Sequence, residues 1–103
     1  MRIVYTVVDH DVLSYNPWGG DDSDYRVLDN RMVNTRVSHE CAICFERTVP
    51  HTRLRAQREV YDGQAKTFYF CNKCCEAMAR QQGGADPDGE LIEYRTQLGM
   101  QRR

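Results

Sequence analysis

Two Cys-x2-Cys pairs, Cys41-Ala42-Ile43-Cys44 and Cys71-Asn72-Lys73-Cys74, stand 26 residues apart, and they restrict what this chain can fold into more than any other feature. Two residues between cysteines let one tight turn, or the first turn of a helix, aim both sulfurs at a single point. Two such turns complete a tetrahedron of Zn–S bonds of about 2.3 Å. The pattern predicts one structural Zn2+ held by Cys41, Cys44, Cys71 and Cys74. Zinc sites of this type usually carry roughly 15–20 residues between the pairs, so the longer spacer must hold a hairpin and an added loop.

Other uses of four cysteines fit less well. Disulfides need an oxidising compartment, and the apolar run in residues 1–9 is too short for a signal peptide and is closed by Asp9-His10-Asp11. Iron–sulfur clusters also take four thiolates, but paired knuckles around a hairpin suit zinc better. Reduced thiols without an export signal lead us to expect a cytoplasmic protein.

At 103 residues the chain has the length of one domain, and its 41 % hydrophobic and 28 % charged residues are ordinary globular values. The segment carrying the cysteines is about 40 residues long, a size at which an apolar core seldom suffices without metal or disulfides. Metal binding would therefore contribute directly to folding. No stretch has the roughly 20 apolar residues of a membrane span.

The net charge of −1 hides a gradient: −3 in residues 1–40, +3 in 41–82 and −1 in 83–103. A zinc tetrathiolate adds a formal −2 to the middle segment. What remains is a weak footprint for non-specific nucleic-acid binding.

The order of elements reads as follows. Residues 2–8 and 12–15 are rich in Val, Tyr and Ile and predict two short strands, followed by a Pro/Gly/Asp loop over residues 16–24. Residues 25–28 and 31–37 flank Asp29-Asn30, a pair suited to a two-residue turn. Residues 1–38 are thus expected to form an antiparallel β-meander, residues 39–84 the zinc module and residues 85–103 a C-terminal helical segment, in one α+β domain.

Within the zinc module, residues 54–61 alternate Leu54, Ala56 and Val60 against Arg55, Gln57 and Glu59. Asp62-Gly63 makes a turn, and residues 65–70 return as a strand. From Cys71 the positions Cys71, Cys74, Cys75, Met78, Ala79 and Gln82 mark one helical face, which Gly83-Gly84 ends. Cys75 is left over after four ligands and reads as a buried core thiol. Residues 90–98 could form a helix or a strand; Asp88 as N-cap and Leu91, Tyr94, Arg95 and Leu98 on one face suit the helix.

Knuckle, hairpin and a helix whose first turn supplies the second ligand pair is an arrangement in which residues 41–82 resemble treble-clef zinc fingers. Tyr69-Phe70-Cys71-Asn72-Lys73-Cys74-Cys75 is similar to the step from an aromatic strand into Cys-x2-Cys in the N-terminal zinc-binding domain of the ClpX unfoldase. The resemblance covers less than half of the chain and implies a fold and a metal.

Enzymatic readings lack residues they need. A zinc deaminase requires His-x-Glu followed by Pro-Cys-x-x-Cys, but His39-Glu40-Cys41 has the wrong order and Phe70 occupies the Pro position. An HNH-like nuclease shares the treble-clef frame but needs a general-base His on the hairpin, and residues 58–61 carry none. Four protein ligands would also leave no open coordination position, so His39 and His51 are expected outside the metal shell. The expectation is therefore a protein that binds without turnover, a protein–protein regulator or adaptor with Trp18, Arg47, Arg53, Arg55 and Arg58 as candidate contacts. The alternative is a nucleic-acid-binding regulator using the basic segment 47–58 and Lys66 on phosphates, with Tyr61 or Tyr69 stacking on bases.

Overall fold

A computed structural model describes residues 7–17 and 25–102. They form an α+β fold in the order α1 (Val7–Ser14), β1 (Tyr25–Asn34), β2 (Arg53–Tyr61), β3 (Gln64–Phe70), α2 (Asn72–Gln82) and α3 (Glu90–Gln101). The three strands make one antiparallel sheet in the order β1-β2-β3. The expected hairpin turn lies between β2 and β3. Asp62 (φ 52°) and Gly63 (φ 77°) both take the left-handed conformation that a two-residue turn of matching twist requires.

The expected N-terminal meander is not what forms. Residues 7–14 are helical, and Asp29-Asn30 lies inside a single ten-residue strand instead of turning between two. An eight-residue helix has little stability of its own, so tertiary contacts decide it. The Arg55 guanidinium donates through Nη1 to the carbonyls of Val12 (2.9 Å) and Tyr15 (2.8 Å), while Asn30 Nδ2 donates to that of Leu13 (2.9 Å). These carbonyls belong to the C-terminal end of α1, where helix groups lack partners and positive charge is favoured. At the other end Arg53 pairs with Asp9 at 2.9 Å. Asn30 also accepts from Arg55 Nε at 2.9 Å, so a residue suited to a turn becomes a crosslink between strand and helix. A bulge near Leu28 absorbs the irregularity in pairing. The remainder of the first expected strand, residues 2–6, and the acidic loop 21–24 lie outside the described residues.

The faces of β2 also differ from the alternation read in the sequence. Arg55, Gln57 and Glu59 are buried, whereas Ala56 and Val60 are only half-buried and Arg58 is exposed. The buried polar side chains are joined in series: Arg55 Nη2 donates to Gln57 Oε1 (2.6 Å), and Gln57 Nε2 donates to Glu59 Oε2. A hydrogen-bonded polar row can be buried at moderate cost where an unpaired one could not. Met32 and Phe70 share this inner face with Arg55, as the strand register requires.

The core consists of Val12, Met32, Ile43, Phe70, Ala77, Met78, Ile92 and all five cysteines. The four cysteines of the two Cys-x2-Cys pairs are thus part of the core itself. The third helix begins where expected, but its start is stabilised differently. Asp86, not Asp88, accepts from the N–H groups of Glu90 (3.2 Å) and Leu91 (2.9 Å), because Gly89 at φ 69° folds the chain back over Asp86. Its buried stripe is Ile92, Arg95 and Gly99, while Tyr94 is exposed, so the inward face is turned from the expected one.

Candidate metal centre

The first cysteine pair sits on a tight knuckle. Glu40 and Arg47 bridge across its base, Cys41 N–H donates to the Glu46 carbonyl (2.8 Å), and Phe45 N–H donates to that of Cys41 (3.0 Å). Phe45 adopts φ 60°, the left-handed geometry that lets so short a loop reverse. Ala42 N–H donates to the Tyr69 carbonyl at 2.8 Å, tying the knuckle to the end of β3. That strand delivers Cys71 to the start of α2, and Cys74 follows in the first helical turn.

All four Sγ atoms lie within 4.8 Å of one another, and all four residues are buried. Cys41 to Cys74 and Cys44 to Cys71 are each 3.7 Å. A regular tetrahedron with Zn–S bonds of about 2.3 Å has sulfur–sulfur edges of about 3.8 Å, so the donor set fits a four-coordinate ion. The N–H groups of Ile43 (3.5 Å) and Cys71 (3.4 Å) point at Cys41 Sγ, a pattern that favours thiolate character.

Packed together, the sulfurs cannot behave as independent thiols. Thiol hydrogen bonds with Cys41 and Cys74 hold Cys71 far below the usual thiol range, while the contacts of Cys74 with Cys41 and Cys71 push Cys74 far up. The contact with Cys71 raises Cys41 to about 11. Four negative sulfurs at this separation need a cation among them, and a divalent ion supplies it. Cys75 stands outside the set: its Sγ donates to the Phe70 carbonyl (3.3 Å), and burial pushes its pKa up to about 12.

Positive charge reaches the cluster from α3. Arg95 Nη2 donates to Cys44 Sγ at 3.3 Å and to Glu46 Oε2 at 2.6 Å, and the bond from Arg95 holds the Glu46 carboxyl below its ordinary value. Arg102 Nη1 donates to the Cys44 carbonyl at 2.7 Å. Gly99 lies so close to the knuckle that a Cβ there would come within 2.0 Å of the Ile43 carbonyl oxygen. Arg95 was expected on a helical face, but none of these residues was expected at the site. The spacing Ile92, Arg95, Gly99, Arg102 was the available signal, a stripe at i, i+3, i+7 and i+10.

The other candidate residues are scattered. The His39 ring stacks on Tyr69 with centroids 3.8 Å apart, and neither His39 nor the exposed His51 belongs to the sulfur cluster. Arg47 is exposed and donates to the Ser38 hydroxyl and carbonyl. Arg53 is engaged with Asp9, and Arg55, 1 % exposed, has its charge inside the fold. Arg58 is exposed on the outer face of the sheet, beside a cleft of about 450 Å³ lined by Asp29, Arg31, Ala56, Thr67 and Tyr69. Trp18 lies outside the described residues. Among the described residues no helix is long and apolar enough to cross a membrane.

In comparisons with protein-family models, curated proteins and solved structures, nothing matches this chain.

Proposed function

We propose that the protein is a small zinc-stabilised binding module of treble-clef type, working in the cytoplasm as a protein–protein regulator or adaptor and catalysing no reaction. The observation that carries the zinc reading is the buried tetrahedral set of four sulfurs. Such a closed set suits a structural ion, since catalytic zinc keeps a coordination position for water or substrate. The knuckle joined to the end of β3, with the second ligand pair at the start of α2, supports the treble-clef description.

Two features favour a protein partner. Arg53 and Arg55 are occupied within the fold, which removes two of the arginines that a phosphate-binding segment would use. On the surface, Val27, Leu28 and Tyr61 are exposed where β1 and β2 pair near the hairpin turn, and Arg31 and Arg58 are exposed on the outer sheet face. Exposed aromatic and aliphatic side chains on a sheet suit a protein partner better than a phosphate backbone.

Affinity capture from native cytoplasm, with and without nuclease, tests the reading. A protein retained after nuclease treatment and lost on Leu28→Asp or Tyr61→Asp, with fold and zinc content intact, is the expected result. Micromolar nucleic-acid binding in moderate salt, abolished by Arg31→Gln with Arg58→Gln, would instead establish the nucleic-acid alternative.

A further inference from the structure

We propose that α3 is a metal-coupled element: its stripe Ile92, Arg95, Gly99 and Arg102 docks on the loaded tetrathiolate centre, and Arg95 acts as a positioning residue that offsets the charge of that centre. The proposal rests on the zinc reading above and concerns what holds the ion besides its ligands.

The knuckle is the surface on which this helix rests. Arg95 reaches Cys44 Sγ, Arg102 reaches the Cys44 carbonyl, and Gly99 brings the helix backbone against Ile43, Cys44 and Phe45. Only a residue without a Cβ allows that approach, although glycine inside a helix is otherwise unfavourable. A single carboxylate, Glu46, links the two arginines, at 2.6 Å from Arg95 and 3.7 Å from Arg102.

Charge explains why the loaded state is the one that fits. Arg95 is only 9 % exposed, and its buried Nε has no hydrogen-bond partner among the described residues. Burying a guanidinium so incompletely satisfied is costly unless strong negative charge is near. Glu46 supplies one unit and is partly solvated. A zinc tetrathiolate supplies a formal −2 at the sulfur that Arg95 already touches. Whatever the docked helix adds to metal affinity, the metal adds to helix docking by the same factor, because the two equilibria are linked. Loss of zinc would therefore weaken the docking of α3 on the knuckle.

Zinc competition against a chromophoric chelator, together with amide hydrogen exchange, tests the proposal in the full chain. Removing a group that orients or neutralises a metal ligand typically weakens metal binding about 10–100-fold. Arg95→Leu is expected to do so, and Arg95→Lys to recover part of the loss by keeping charge without the planar fork. Gly99→Ala is expected to weaken zinc as well, although it alters no charge and no ligand. In the wild type, removing zinc should speed exchange of the α3 amides more than that of the β2–β3 hairpin. Zinc affinity within about twofold of wild type in Arg95→Leu, or α3 protection indifferent to metal, would overturn the coupling while leaving the zinc site standing. Should Arg95→Leu fail to fold, Arg95→Lys, Gly99→Ala and the wild-type exchange decide. A wild-type chain that binds no zinc would remove both the site and the coupling.

Discussion

Arg55 is the residue whose role departs furthest from its chemistry in isolation. As an arginine in a basic segment it suggests a surface contact, yet it is buried with Val12, Tyr15, Asn30 and Gln57 as acceptors, and its ring-facing side lies 5.4 Å from the Phe70 centroid. Burial lowers its pKa, but an arginine remains charged. Arg55→Met keeps much of the volume but removes the donor to those acceptors, so a loss of about 1–3 kcal/mol is expected in denaturant unfolding. A loss below about 1 kcal/mol would mean that α1 is held by something other than this guanidinium. The cysteines divide by role in the same way. Cys44→Ser should abolish stoichiometric zinc, read by metal analysis. Cys75→Ala should retain it and cost roughly 0.5–2 kcal/mol, since only a small buried group is removed. Zinc lost with Cys75 would place that sulfur among the ligands.

Among the elements, α3 gives the sharpest contrast between a cap suggested by sequence and the cap that forms. Asp88 precedes the helix at a plausible distance, but Asp86 makes the hydrogen bonds because Gly89 turns the chain with a positive φ. Asp86→Ala should lower stability by about 1 kcal/mol, the usual cost of a lost cap, and Asp88→Ala should change it little. Equal effects in thermal unfolding would contradict this assignment. The β2–β3 hairpin and α2 are legible in the sequence alone. Their signals are local: Asp62-Gly63 can take the turn geometry, and the cysteine and Met78 spacing marks one helical face. The first helix had no such signal. Its β-branched residues favour a strand, and its stability comes from Arg53, Arg55 and Asn30, which lie far away in the chain.

For the whole molecule, the arrangement of the core leads to the broadest prediction. All five cysteines lie in one cluster with Val12, Met32, Phe70, Met78 and Ile92, so the candidate metal site and the apolar packing share a centre. Chelation should therefore replace a sharp thermal transition by a broad one and lower its midpoint, as followed by circular dichroism. An unchanged sharp transition after complete zinc removal would show that packing suffices without metal. What the chain revealed without its fold was the grouping of the two cysteine pairs, the hairpin between them and the helix carrying the second, because cysteine spacing and turn chemistry act over a few residues. Only the tertiary structure decided that residues 7–14 coil, that Asp29-Asn30 stays extended, that a polar row faces inward on β2 and that α3 presents Arg95 and Gly99 to the knuckle. Each of these depends on a partner distant in sequence: a guanidinium meeting helix carbonyls, or a backbone approaching where a side chain is missing. Local propensity carries no record of such partners, and long-range hydrogen bonding and close packing outweigh it.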